Sequence, residues 1–176
     1  MRIVPVILGG GAGSRLWPLS RETFPKPFVP LPDGETLLRK PYARLAGLPG
    51  VDHMVTVLNR ELVFLALDEC RIAAPGVARH SFVSEPFGRD TAAAVALSAL
   101  HVADVESPEA ILLVMPADHL IPDVENFRSA VLAAGKLAAE GRIVVFGISP
   151  DRPETGFGYI EAEGDTVRRF VEKPGL

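Results

Sequence analysis

A glycine-rich loop directly follows the first apolar run of the chain. Residues 9–15 read GGGAGSR, and the same stretch continues to Lys26, which lies between two prolines. Glycines lack a Cβ and can adopt positive φ, so that successive N–H groups can converge on an anion. Arg15 could then bind a polyphosphate through its planar fork of donors, and Lys26 could bind it as a point charge. This pattern predicts phosphate recognition at the loop.

The two common glycine-rich phosphate motifs do not fit this loop. With glycines at positions 9 and 11, the third glycine of the dinucleotide fingerprint falls on Ser14. No Gly-Lys-Ser or Gly-Lys-Thr follows at the P-loop spacing. Glycines alone would also suit a ligand-free turn. Arg15, Pro18 and the Pro-Lys-Pro run argue against that interpretation, and the broken fingerprint argues against a dinucleotide-dependent oxidoreductase.

Composition restricts the class of protein. The 176 residues are 48% hydrophobic and 23% charged with a formal net charge of −4, so no global basic field predicts binding to nucleic acid or membrane. The single cysteine, Cys70, excludes an internal disulfide and suits a reducing compartment. No apolar run approaches ~18 residues, and no signal-peptide pattern opens the chain. We expect a cytoplasmic protein of one domain.

Strand and helix patterns alternate along most of the chain. We predict a three-layer α/β/α sandwich with a Rossmann-like, mostly parallel sheet and an antiparallel hairpin near the C-terminus. The helix over residues 90–104 is apolar on most faces and is predicted to be buried, and the strand over 110–115 is predicted to be central. The hairpin turns at Gly164-Asp165. Strands are predicted over 4–8, 53–58, 80–84, 110–115 and 142–148, and helices over 35–47, 61–73, 90–104 and 123–140.

Five blocks in order carry a family resemblance. They are GGGAGSRLWPLSRETFPKPF, SEPFGRDTAAAVALSA, MPADHLI, TGFGYIE and FVEKP. Together they resemble the sugar-1-phosphate nucleotidylyltransferases, and Trp17 after Arg-Leu is typical of the mannose-1-phosphate guanylyltransferase branch. The resemblance spans residues 3–174.

The resemblance implies a nucleotide site at the glycine loop and at the block around Asp90. Asp90 stands where many relatives carry Asn. Its carboxylate could accept hydrogen bonds from the N–H groups of guanine, or it could cap the helix that begins near Thr91; both interpretations stay open. The nucleotide-binding residues implied are Leu8, Gly9, Gly10, Gly11, Gly13, Ser14, Glu85, Pro86, Arg89, Asp90 and Thr91.

A metal site and a sugar-phosphate site are expected elsewhere in the chain. Asp118 follows the apolar strand over 110–115, where a hard oxygen ligand suits magnesium (Mg²⁺), although a turn or cap residue would look the same. His119 is interpreted as a structural neighbour. The resemblance implies that Gly158, Glu172 and Lys173 bind the sugar phosphate, while a surface ion pair is the alternative for the last two. Arg15, Lys26 and Asp118 are the catalytic candidates.

The reaction implied is transfer of a nucleotidyl group. GTP and α-D-mannose 1-phosphate would give GDP-mannose and pyrophosphate, with a homodimer as the expected assembly. Two alternatives are another sugar-1-phosphate nucleotidylyltransferase, using glucose 1-phosphate with dTTP, ATP or UTP, and a catalytically silent nucleotide-sugar-binding fragment or subunit. The related catalytic domains continue beyond Glu-Lys-Pro to a second metal-binding Asp. The chain is therefore expected to be one catalytic domain, residues 1–176, truncated at its C-terminal side.

Overall fold

The protein is described from a computed structural model. It covers residues 1–10, 16–21, 24–85 and 91–175. The chain divides into two compact units, Met1–Arg142 and Ile143–Leu176. Each is described by itself.

The first unit is built on a four-stranded parallel sheet. The order is β3-β2-β1-β4, and every neighbouring pair runs parallel. Pro5 lies within the central strand, but pairing with β2 begins at Val6, so Pro5 precedes that ladder. The strands are β1 (Ile3–Leu8), β2 (His53–Asn59), β3 (Arg79–Glu85) and β4 (Ile111–Pro116).

Within the described residues, three α-helices and two short 3-10 helices stand between these strands along the chain, and a fourth α-helix follows β4. Asp123 caps α4 as predicted, accepting a hydrogen bond from the Asn126 N–H at 2.9 Å. The first helix begins at Arg39, later than predicted, and Thr36 Oγ1 accepts from the Arg39 N–H. Pro41 therefore lies in the first turn, where its missing N–H costs nothing. The α-helices are α1 (Arg39–Ala46), α2 (Val63–Ala73), α3 (Thr91–Val105) and α4 (Val124–Ala138), and the 3-10 helices are Lys26–Phe28 and Arg60–Leu62.

Alternation along the strands separates two cores. Ile3 and Ile7 face one core, whereas Val4 and Val6 face the other. The first core is completed by side chains of α1, α2 and α4, and the second by Ala94 and Val102 of α3. Helices on both faces of a parallel sheet confirm the predicted three-layer architecture.

Two predictions about burial were wrong. Only one stripe of α3 is buried, at Ala94, Ser98 and Val102, while Leu100 is 71% exposed. An apolar sequence does not determine which face contacts the sheet, and here only residues four apart do so. The strand β4 stands at one end of the sheet order instead of the centre. Its residues are accordingly only half-buried at most positions.

The second unit is an antiparallel hairpin, as predicted, preceded by irregular chain. Strands β5 (Tyr159–Glu163) and β6 (Thr166–Val171) pair around Gly164, whose φ of +57° suits a tight turn. The strand predicted over 142–148 was wrong: Ile143 is 98% exposed and Ile148 is 90% exposed, with no strand assigned there. A strand needs a hydrogen-bonded neighbour, and no described residue pairs with this segment in a sheet.

A buried charged cluster joins the amino ends of the strands. The Glu106 carboxylate forms ion pairs with Arg2 and Arg79 and is itself almost buried. His53 is fully buried; its Nε2 lies 2.8 Å from Ser81 Oγ. Its Nδ1 is 2.9 Å from Glu106 Oε1, too poorly aligned for a hydrogen bond. Burial, aided by the positive charge of Arg79, lowers the pKa of His53 to about 4.

This pKa predicts acid destabilisation through His53. In the unfolded chain, His53 is protonated below its ordinary pKa of 6.5, whereas in the folded chain it is protonated only below about pH 4. The free energy of unfolding is therefore not reduced by this group above pH 6.5. It decreases as the pH falls from 6.5 toward 4, by up to about 3 kcal/mol. Urea unfolding at pH 7.5 and 4.5 should show a smaller acid loss for His53→Gln than for the parent chain. The exposed His119→Gln variant is the control, and equal losses in all three proteins would contradict the prediction.

Candidate functional site

The candidate site lies where the four strands end. Because the strands are parallel, their carboxyl ends share one edge of the sheet, where open α/β sheets bind ligands. Leu8 pairs with Pro116 and Asn59 pairs with Glu85 at the last positions of the ladders. The loops that follow β1 and β4 therefore start side by side. We call this the carboxyl edge.

Gly9 and Gly10 leave the end of β1 in ordinary backbone conformations. The Gly9 N–H donates to Val57 O at 2.8 Å, continuing the ladder. Among the described residues, a Cβ at Gly10 would meet only Glu85 Oε2, at 3.8 Å, and neither glycine has a positive φ. The described neighbours of Gly10 would thus tolerate a side chain. Because Gly10 is exposed and has no side chain, a ligand could approach its backbone closely.

Lys26 and Asp118 form an ion pair at this edge. Lys26 Nζ lies 2.6 Å from Asp118 Oδ2, and both side chains are about one third exposed, at 35% and 36%. The short helix that carries Lys26 is anchored by the buried Pro27 and Phe28, and Pro27 O accepts from the Leu38 N–H at 2.8 Å. On the other strand, the Ala117 N–H donates to Leu8 O at 3.0 Å. Both charges are therefore held by buried backbone while remaining accessible to a ligand.

The remaining nucleotide candidates are placed only in part. Glu85 ends β3, is nearly buried at 9% exposure, and directs its carboxylate toward Gly10. Leu8 is half-buried at the end of β1, and the exposed Thr91 is the first residue of α3. Seven of the candidate residues lie outside the described part of the chain: Gly11, Gly13, Ser14, Arg15, Pro86, Arg89 and Asp90.

The sugar-phosphate candidates lie together within the second unit. Lys173 Nζ is 3.4 Å from Glu172 Oε1, and both side chains are largely exposed. A Cβ on Gly158 would lie 3.0 Å from Glu172 Oε2, so this glycine admits the carboxylate closely. Lys173 has a φ of +41°, an uncommon conformation for a residue with a side chain. The ion pair keeps both the binding and the surface-pair interpretations open.

Two features of the carboxyl edge were missed from the sequence. Asn59 ends β2 beside Glu85, and its side-chain oxygen accepts from the Glu61 N–H at 3.1 Å, capping the helix Arg60–Leu62. An Asn directly after an apolar run is a signal that could have identified this cap. The second feature is the direct Lys26–Asp118 contact. Sequence reasoning had given the two residues separate roles.

A metal at this edge would need ligands from a substrate. Among residues 1–10, 16–21, 24–85 and 91–175, no group of three or more acidic, histidine or cysteine side chains could hold a metal ion. Asp118 supplies one accessible carboxylate. Magnesium usually takes one or two carboxylates together with phosphates and water, so the donor set fits a metal whose shell a phosphate ligand completes.

No helix within the described part of the chain is long and apolar enough to cross a membrane.

Comparison with known proteins identifies the family. The model of the family described as Nucleotidyl transferase matches residues 4–176. The chain belongs to this family. It is 44% identical over 179 residues to the xanthan biosynthesis protein XanB of Xanthomonas campestris pv. campestris (strain B100), covering 99% of this chain and 37% of XanB. It is also 41% identical over 181 residues to the mannose-1-phosphate guanylyltransferase of Escherichia coli, covering 98% of this chain and 38% of that protein.

A solved structure agrees with the fold. The crystal structure described as mannose-1-phosphate geranyltransferase from Thermus thermophilus matches with a TM-score of 0.81 and 39% identity, over 99% of this chain and 51% of that chain. The nucleotidyl transferase chain described here thus spans well under half the length of the curated relatives given above.

The Lys26–Asp118 pair is predicted to contribute little to stability. Pairs this exposed are usually worth less than about 1 kcal/mol. In a double-mutant cycle of Lys26→Met and Asp118→Asn, urea unfolding should give a coupling free energy below about 1 kcal/mol. The less exposed Arg39–Glu69 pair, with two hydrogen bonds at 2.8 and 3.2 Å, is the matched control and should couple more strongly. A coupling free energy above about 2 kcal/mol for Lys26–Asp118 would contradict the prediction and show that the pair stabilises the fold.

Proposed function

We propose that this chain belongs to a mannose-1-phosphate guanylyltransferase, which forms GDP-mannose and pyrophosphate from GTP and α-D-mannose 1-phosphate. The observation that carries the proposal is the accessible Lys26–Asp118 pair at the carboxyl edge, where the exposed Gly10 also lies. Relatives bearing that enzyme's name are 41% and 42% identical over nearly the whole chain, which supports the choice of guanine and mannose.

The chemistry is an in-line displacement at phosphorus. A phosphate oxygen of mannose 1-phosphate attacks the α-phosphorus of GTP, forming a P–O bond while the bond to the pyrophosphate leaving group breaks. A phosphate oxygen is already deprotonated near neutral pH, so no general base is needed. Catalysis then consists of bringing two anions together and compensating the charge that develops. Lys26 and Arg15 are the cations proposed to bind the triphosphate.

Asp118 is proposed to hold magnesium when the nucleotide is present. The metal would supply charge compensation to the phosphate oxygens. Asp118 Oδ2 is already within 2.6 Å of Lys26 Nζ, so a metal at this oxygen would compete with the ammonium group. Lys26 released from Asp118 could turn to a phosphate, because its stem is flexible and its donors rotate. The ion pair thus keeps a cation close to the carboxylate before the triphosphate arrives.

The other candidate residues have narrower proposed roles. Gly9 and Gly10 admit the triphosphate or ribose to the backbone, and Glu85 accepts hydrogen bonds from the nucleotide. In the second unit, Glu172 would accept from sugar hydroxyls, and Lys173 would compensate the sugar phosphate. A catalytic domain spanning residues 1–176, a homodimer and a cytoplasmic location belong to the same proposal.

Nucleotide preference tests the function directly. The chain should bind GTP at least about ten-fold more tightly than dTTP, ATP or UTP in calorimetric titrations with magnesium, because hydrogen bonds to a base edge discriminate strongly. GDP-mannose should bind as well. Lys26→Met should weaken all four triphosphates by a similar factor, since it contacts phosphate only. Preference for another nucleotide would indicate a family member with a different nucleotide specificity. No binding of any nucleotide by a folded chain would refute a nucleotide site.

Substitution of Gly10 separates ligand approach from folding. A Cβ at this position meets no described atom closer than 3.8 Å, so Gly10→Ala should unfold within about 0.5 kcal/mol of the parent chain. GTP affinity should nevertheless fall at least about ten-fold, because a methyl group then occupies the approach to the backbone. Gly76→Ala, at a loop glycine where an added Cβ meets no described atom within 4 Å, is the matched control for both measurements. Unchanged GTP affinity in Gly10→Ala would place the nucleotide elsewhere.

A further inference from the structure

An open pocket lies between α1 and the loop that leads into α4. Its volume is about 610 Å³, within the range of small-molecule sites. Most of the wall is apolar, formed by Leu31 and Pro32 on one side and Leu120, Ile121 and Pro122 on the other. None of its lining residues belongs to the nucleotide or sugar sites proposed above. We call it the α1 pocket.

Arg44 lines this pocket as a buried and partly unpartnered cation. The residue is only 3% exposed, and burial lowers the pKa of its guanidinium. Nη1 donates to His119 O at a long 3.4 Å, and the guanidinium carbon lies 5.0 Å from the centre of the Phe127 ring. Nε and Nη2 have no hydrogen-bond partner among the described residues. Leaving such donors unmet is costly, so a group that accepts hydrogen bonds from them would be bound favourably.

The charged neighbours of Arg44 among the described residues pair with one another and not with Arg44. Lys40, on the same face of α1, is already paired with Asp33 and with Glu35. Arg128 pairs with Glu125 at 2.8 Å, and its Nε donates to the Arg44 carbonyl at 3.0 Å. These two cations and three carboxylates together carry a net charge of −1, but each carboxylate is paired with Lys40 or Arg128. The Arg44 guanidinium therefore has no ion-pair partner of its own among the described residues.

The two free nitrogens of Arg44 also define a shape. Nε and Nη2 form one edge of the guanidinium, and that edge can bind two oxygens of a carboxylate or phosphate side by side. Both atoms are covered, so a ligand must displace part of the wall to reach them. Part of that wall comes from the irregular segment 117–123, where Leu120 is 58% exposed. That segment also carries Asp118.

We propose that the α1 pocket binds a small organic anion. Its carboxylate or phosphate group pairs with the Nε–Nη2 edge of Arg44, and its apolar body lies against Pro32 and Ile121. Lys40 and Asp33 form the polar rim and can bond to hydroxyl or amide groups on the same ligand. No residue that lines this pocket is a candidate for the nucleotide site, and the proposal does not rest on the proposed function.

Three probes test the acid group that is recognised. Benzoate and phenyl phosphate carry the two candidate anions on the same ring, and benzamide is the neutral counterpart of benzoate. Calorimetry and amide NMR on the whole chain should show saturable binding of at least one anion, and benzamide should bind at least ten-fold more weakly. Shifted amides should include those of Arg44 and Ile121. The stronger anion identifies the acid group, and failure of both to saturate would overturn the proposal.

Four variants locate the binding. Arg44→Met keeps the length and apolar stem of the side chain and should weaken the anion at least ten-fold, whereas Arg71→Met, an exposed arginine of α2, should not change it. Ala43→Phe fills the pocket while retaining Arg44 and should also block binding, so it decides the matter if Arg44→Met does not fold. Lys26→Met should leave anion binding intact. Loss of binding in Lys26→Met with retention in Arg44→Met would show that the anions bind at the carboxyl edge, and the proposal would be wrong.

Discussion

The parallel alignment of the four strands is the constraint on which the rest of the molecule depends. Backbone hydrogen bonds fix β1 between β2 and β4, and the register brings Leu8 beside Pro116. A parallel sheet cannot turn back at the strand end, so each strand must be followed by a loop that leaves from the same edge. The segments that begin at Gly9 and at Ala117 therefore start next to each other because of the ladder. The positions of the candidate side chains depend on that alignment.

Within this frame, the Lys26–Asp118 pair is well suited to chemistry and poorly suited to stabilisation. The backbone on each side is anchored, by Pro27 and Phe28 on one and by the ladder bond from Ala117 on the other, while the charged groups remain solvent-accessible. An accessible pair can exchange partners at low cost, because water replaces what each group loses. A triphosphate and a metal would make complementary contacts with the same two groups. The ion pair thus holds both charged groups in position and leaves each able to exchange its partner for a ligand.

The sequence predicted what depends on local pattern and missed what depends on distant neighbours. Helix α4 and its Asp123 cap were predicted from apolar spacing and a cap residue, and the hairpin from Gly164 and alternation. The strand over 142–148 was wrong because an extended run becomes a strand only through a partner. Likewise, the types of Lys26 and Asp118 predicted phosphate and metal chemistry, but their contact joins residues separated by 92 positions. No local pattern encodes such a contact.

Buried charge provides a further distinction between the two ends of the first unit. At the amino ends of the strands, Glu106 forms ion pairs with Arg2 and Arg79, which offset the desolvation of its carboxylate. Arg44 is also buried, at 3% exposure, but among the described residues its guanidinium has only a weak carbonyl contact and an aromatic ring. If its role were only structural, an apolar residue of similar volume would fill the same space at lower cost. The arginine is therefore better explained by a binding partner that brings negative charge than by packing.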